Sequence, residues 1–390
     1  MIAFDKSEYA ARMKKVQERM ESTGIDVLII TDPANMCYLS GYDAWSFYTP
    51  QVLLVKLTSP QPVWIGRQQD ILCAKETTWL DSDHILVYSD DHLWEPYTKH
   101  VMDYVAGYLI DQGMAKRTIG VESDAYYYTA LFDEKLKSRL PDANFRDCSF
   151  LVNRIRMIKS DREIDYMKMA ARIVEKGMQT AVDSIQVGTR ECDAAAQIYG
   201  ALLRGTDNYG GDYPAIVPLM PAGKRSAAPH LTWTDNKYEQ QQLVYVEIAG
   251  CYKRYHAPLS RTIYLGAPPP EVKDTVEVII EGLNAALEAI KPGETCESVE
   301  MAWKKVISKK GLAKESRMGY CVGLNYPPVW EERTAYLRPG DKTIFEPNMT
   351  FHVMPGMWFT DFGVAVTESI RVTESGCEPL ADFPRKLFTS

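Results

Sequence analysis

The chain has 390 residues, 46% hydrophobic and 25% charged, with a net charge of −8. That length exceeds one ordinary domain and suits two, and the balance excludes a disordered or fibrous chain. Acidic and basic residues are interleaved, without the concentrated basic face that nucleic acid requires, and no apolar run is long enough to span a bilayer. The first residues lack a basic segment followed by an apolar run, so no signal peptide is expected. The eight cysteines are scattered with no C-x-x-C pair, which fits reduced thiols in the cytoplasm better than disulfides or a zinc knuckle.

Taken in chain order, Tyr9, Met13, Val16 and Met20 recur at helical spacing, with Asp5 or Ser7 able to cap the start and Gly24 the end. Residues 26–31 read as a buried strand and Asp32-Pro33 as a turn. Residues 52–57 and 62–65 read as a strand pair, 118–122 as a strand and 127–140 as a helix. This alternation predicts an α/β layer domain up to about residue 150. Helices follow over 161–182 and 190–203, then strands over 243–249 and 252–264 joined by a turn at Gly250. A helix over 271–290 carries Val272, Val276, Ile279, Leu283, Leu287 and Ile290 on one stripe, with Gly293 past its end. A further helix over 296–310 precedes a β-rich stretch with strands over 349–354 and 363–373. Helical pairs around antiparallel strands predict an α+β second domain.

One residue stands out on chemistry alone. Glu247 lies inside the apolar run Val244–Ile248, and a carboxylate on a buried strand is costly unless it is paired or functional.

Residues 152–173 (VNRIRMIKSDREIDYMKMAARI) resemble the helix that opens the catalytic domain of the creatinase/aminopeptidase P/prolidase superfamily. Five further segments resemble that superfamily in order: Ala227–His230, Leu243–Gly266, Met318–Leu324, Met349–Gly356 and Val364–Gly376. The resemblance implies an α/β N-terminal creatinase-like domain over 1–155 and an α+β pita-bread C-terminal domain over 156–390. It also exposes departures. The positions of the family's five metal ligands fall on Glu247, Pro258, Tyr320, Met354 and Thr367, with Glu368 next to the last. Proline and methionine cannot supply the oxygen ligands that Mn²⁺ or Mg²⁺ needs, and neutral tyrosine is a poor substitute. Metal-free chemistry, with no cofactor, is therefore expected.

Within the superfamily, residues 35–50, 210–222 and 351–367 look like the ectoine hydrolases. The resemblance implies hydrolysis of a small cyclic amidine bearing a carboxylate, by a homodimer, with a deacetylase able to act on the product. Glu247 is the candidate to attack the amidine carbon or hold the amidinium, and His230, after Ala-Ala-Pro, the candidate general base. The aromatics Trp45, Phe47, Tyr48, Tyr213, Tyr255, Tyr320 and Trp358 could hold a delocalised cation. His352, two residues before Met354, could share its face and line the cleft; Glu368 is a further binding candidate, and His256 is expected to face away from Glu247. Arg225 and Arg261 are candidates for the substrate carboxylate, Arg261 being more suited to packing. The alternatives are a creatinase-like amidinohydrolase, a metal-dependent Xaa-Pro peptidase of the same fold, and a binding module without turnover.

Overall fold

The computed structural model describes residues 2–95 and 97–390, and the chain divides into two compact units, Met1–Arg156 and Met157–Ser390. The first unit runs α1 (Lys6–Thr23), β1 (Val27–Ile30), α2 (Pro33–Ser40), β2 (Val52–Lys56), β3 (Val63–Arg67), α3 (Ile71–Thr77), β4 (Ile85–Tyr88), α4 (Asp91–Trp94), α5 (Val101–Asp111), β5 (Thr118–Val121), α6 (Ala130–Arg139), β6 (Asn144–Asp147) and α7 (Leu151–Arg156). The helical stripe of α1 is buried, and Gly24 ends the helix at φ +69°, a left-handed conformation that glycine adopts without a Cβ clash. The strands form one mixed sheet in the order β4-β3-β2-β1-β5-β6. The pair β2–β3 is antiparallel with Val52 opposite Ile65. Val27, Ile29, Leu54 and Ile65 join Val105, Leu109 and Leu136 in its core.

Two expectations change here. Asp32-Pro33 begins a helix instead of making a free turn. Asp32 Oδ1 accepts the N–H groups of Ala34 (2.8 Å) and Asn35 (3.1 Å), and Pro33 occupies the first turn, where its missing N–H costs nothing. The helix expected from residue 127 starts at Ala130, because Thr129 Oγ1 caps it by accepting the Phe132 N–H (3.2 Å).

The second unit runs α8 (Asp161–Ser184), α9 (Glu191–Arg204), β7 (Gln242–Tyr252), β8 (Tyr255–Leu265), α10 (Pro270–Ala289), α11 (Cys296–Ser308), β9 (Gly319–Val322), β10 (Glu331–Tyr336), β11 (Thr350–Val353), β12 (Gly356–Trp358), β13 (Gly363–Ala365), β14 (Glu368–Val372), β15 (Cys377–Pro379) and β16 (Phe388–Thr389). The sheets are β10-β9-β11-β14-β15, the hairpin β12-β13, and β16-β8-β7. Helices α10 and α11 close over the first of these through Ile279, Leu283 and Trp303, which share a core with Cys321, Phe351 and Ile370.

Helix α8 opens with a capping box in which Ser160 and Glu163 satisfy each other's backbone N–H groups. The other oxygen of Glu163 accepts the hydroxyl of Tyr255 (2.7 Å), which ties the helix start to the β7–β8 hairpin. Gly250 is not the hairpin turn. It sits within β7, where a Cβ would lie 1.9 Å from the Ala170 carbonyl of α8, so glycine there lets helix and strand touch. The turn is Lys253-Arg254, both at positive φ. The strand expected over 363–373 is broken into β13 and β14, which leaves Val366 and Thr367 between them. Among the described residues no helix is long and apolar enough to cross a membrane.

Candidate active site

Strand β7 places Glu247 opposite Ser260 of β8, and Tyr245 two residues earlier on the same face. The Tyr245 hydroxyl donates to Glu247 Oε2. On the neighbouring sheet, β11 sets His352 opposite Tyr320 of β9, and His352 Nδ1 lies 3.9 Å from Glu247 Oε1. The imidazole is held at both ends, 2.9 Å from the Tyr320 hydroxyl and 2.8 Å from Thr367 Oγ1. Trp330 Nε1–H donates to the Tyr320 oxygen (2.8 Å), and the Ser260 N–H donates to Thr367 Oγ1 (2.8 Å). The break between β13 and β14 is what leaves Thr367 in this chain of bonds.

Burial sets the charges. Desolvation pushes the Glu247 carboxyl up to about 7, opposed by the Tyr245 hydrogen bond and the Lys314 ammonium. It pushes His352 down to about 3, with the Arg317 charge adding to the effect, so the imidazole is neutral at pH 7. A neutral imidazole donates through one nitrogen and accepts through the other.

Lys314, between α11 and β9, went unnoticed in the sequence, where it sits in the polar stretch 309–317. In the structure it is 8% exposed. Its Nζ donates to the Met354 carbonyl (3.3 Å) and lies 4.8 Å from the ring centre of Trp358, which meets Tyr245 edge to face. Desolvation pushes it down to about 7, opposed by Glu247. Tyr245 was also overlooked, although its spacing of two from Glu247 was a readable signal.

The remaining candidates divide. His230 is exposed, in the turn after the short helix Gly223–Ala227. That helix is fastened to β13 by the Gly363 N–H donating to Ser226 Oγ (3.1 Å). Glu368 is engaged within the protein: its Oε1 accepts from Arg261 (2.8 Å) and Arg385 (3.0 Å) and neutralises two guanidinium groups. Tyr255 is fully buried and engaged to Glu163, and Tyr213 stacks against the Arg254 guanidinium (3.9 Å), so both brace the hairpin. His256 shares a strand face with Ser260, contrary to expectation, and Ala215 N–H donates to its Nε2 (2.9 Å). Arg225 is paired with Glu191 (3.0 Å). In the first unit Trp45 and Tyr48 are exposed and Phe47 packs on Trp45 and Tyr127. Phe47 and Tyr48 line a cavity of about 350 Å³ with Tyr126 and Tyr127.

The donor set does not fit a dinuclear metal centre. Of the five positions that the family resemblance assigns to ligands, only Glu247 carries a carboxylate. Pro258 offers a carbonyl that accepts from Ser369 Oγ (2.7 Å), and the hydroxyls of Tyr320 and Thr367 are spent on His352. The Met354 carbonyl faces an ammonium. Among the described residues, no group of three or more His, Cys, Asp or Glu side chains could hold a metal ion.

Residues 165–374 match the model of metallopeptidase family M24, and residues 12–158 match the creatinase/prolidase N-terminal domain. The chain belongs to metallopeptidase family M24. An ectoine hydrolase from Halomonas elongata is 46% identical over 99% of this chain and 98% of its own. A Xaa-Pro dipeptidase from Pyrococcus horikoshii is 25% identical over 96% and 98%. Among solved structures, a prolidase from Thermococcus sibiricus superposes with a TM-score of 0.85 at 22% identity, over 98% of this chain and 99% of that one. The X-Pro aminopeptidase of Thermotoga maritima gives 0.82 at 23% identity over 97% and 99%. This M24 member is a hydrolase with the creatinase-like and pita-bread domains of its family.

Proposed function

We propose that this M24 hydrolase opens the ring of ectoine to an N-acetylated 2,4-diaminobutyrate without a metal ion. The observation that carries the reading is the buried Glu247 carboxylate, surrounded by hydroxyl, imidazole and ammonium groups where metal-dependent relatives need further carboxylates. The substrate is inferred from the Halomonas elongata relative. A protonated cyclic amidine is a planar, delocalised cation, and a buried carboxylate is its natural counter-ion.

In this reading Glu247 meets the amidinium, as the group that holds it or as the oxygen that attacks its carbon. Water supplies the oxygen of the acetyl group, one ring C–N bond breaks, and the leaving nitrogen takes a proton. His230 takes the proton from water and returns it, and Tyr320 and the neutral His352 hold the opposite wall. A cytoplasmic homodimer, with a deacetylase downstream, completes the proposal on resemblance alone.

The test is an NMR time course of the purified protein with ectoine in excess chelator. Appearance of the acetyl-diaminobutyrate signals at an undiminished rate supports both substrate and metal independence. Turnover that appears only on adding Mn²⁺ overturns the metal-free part. No turnover in either condition, with turnover of creatine or another amidine, overturns the substrate.

A further inference from the structure

A lysine ammonium is rarely kept from water without an anion beside it. Lys314 is 8% exposed, yet among the described residues its polar contacts are one carbonyl at 3.3 Å and the face of Trp358. It interacts electrostatically with Glu247 but makes no direct ion pair with it. The Trp358 ring links the two, since it lies beside the ammonium on one side and meets the Tyr245 ring on the other, and Tyr245 donates to Glu247. The indole Nε1–H of Trp358 is itself buried with no acceptor. One region of the second unit therefore holds a carboxylate and an ammonium of opposite charge, both nearly removed from water and not in contact.

We propose that Lys314 binds the carboxylate of the substrate, so that the site recognises a small zwitterion: Glu247 faces the cationic end and Lys314 the anionic end. This rests on the proposed function and adds the group that function still lacks, since Arg225, Arg261 and Arg385 are all paired with protein carboxylates. An ammonium with two donors unspent suits one carboxylate oxygen or two, and a low-dielectric surrounding strengthens the contact. It also implies that uncharged and purely cationic amidines are poor substrates, because each leaves Lys314 buried without a counter-charge.

The experiment compares ectoine with 2-methyl-1,4,5,6-tetrahydropyrimidine, the same ring without its carboxylate, in wild type and in Lys314→Met. Wild type is expected to favour ectoine in kcat/KM by roughly 10- to 100-fold, the range of one charge-assisted hydrogen bond. Lys314→Met is expected to lose that preference through a raised KM for ectoine, with the decarboxylated ring little affected, and Lys314→Arg to recover part of it. A ratio unchanged in Lys314→Met overturns the assignment while leaving the proposed function intact. Absence of ectoine turnover in wild type overturns the function and this assignment with it. Should Lys314→Met not fold, the wild-type ratio decides: equal kcat/KM for the two rings overturns the assignment.

Discussion

Glu247 is an acid whose folded environment favours the protonated form, because burial raises its pKa to about 7 from an ordinary 4.5. Two consequences follow from that direction. The ionised carboxylate is the form that meets an amidinium, so kcat/KM for ectoine should fall as pH drops below about 7, with Tyr245, His352 and Lys314 the groups that surround the titration. A raised pKa also means that the group's contribution to stability is greatest below 4.5 and is lost as pH rises through 7. Glu247→Gln should therefore lower kcat by about 1000-fold. At pH 8 it should raise unfolding free energy by on the order of 2 kcal/mol, read by urea titration. A variant that keeps its turnover within a few-fold removes Glu247 from the chemistry. At this scale the sequence was legible where a residue contradicted its neighbours, as a carboxylate does within an apolar run. It was silent about Lys314, a lysine among lysines, whose burial is decided by a carbonyl and a tryptophan 40 and 44 residues away (354 − 314 and 358 − 314). The partners of Glu368 and Tyr255 were hidden for the same reason: Arg261 and Glu163 lie 107 and 92 residues away in the chain.

At the level of elements, periodicity located the long helices and the β7–β8 hairpin, because each buries one stripe or face against the rest. Breaks were harder to see. Gly250 looked like punctuation, and its real task is to let the α8 backbone approach β7. Gly250→Ala should cost about 1–3 kcal/mol by overpacking against the Ala170 carbonyl, visible as a lower urea midpoint at unchanged slope. A midpoint equal to wild type would show that α8 moves aside freely. The actual turn, Lys253-Arg254, carries neither glycine nor asparagine, and is held instead by Arg254 Nη1 and Nη2 donating to the carbonyls of Tyr213 (2.5 Å) and Asn325 (3.0 Å). Those anchors are distant in sequence, so local turn chemistry could not announce it. The interruption at Val366–Thr367 was likewise hidden in an unbroken β-prone run, yet it is what brings Thr367 to His352.

For the whole molecule, each unit has its own core, and the second alone holds Glu247, His352 and Lys314. A ligand that binds only the folded site should stabilise the chain by mass action. With Glu247→Asp, chosen to keep the charge while slowing turnover, ectoine at a hundredfold above Kd should raise Tm by roughly 5 °C. Mn²⁺ at the same excess should leave Tm where it was; a rise with Mn²⁺ would mean that a metal site exists after all. The two-domain plan could be read from the sequence because it depends on which residue occupies which position. The surroundings of Glu247 could not, because they depend on contacts among β7, β9, β11 and the break before β14.

The run of bonds from Trp330 through Tyr320, His352 and Thr367 to Ser260 also couples positions that are far apart in the chain. Tyr320 and Thr367 stand at two of the positions that the family resemblance assigns to ligands, and here each is a partner of the same buried imidazole. Placing a histidine at 320 or a glutamate at 367 singly would remove one of the two hydroxyls that hold His352. Each single change is therefore penalised unless the other partner changes with it. One imidazole thus makes positions 320 and 367 a single unit of change, so that neither can be exchanged on its own without cost to the other.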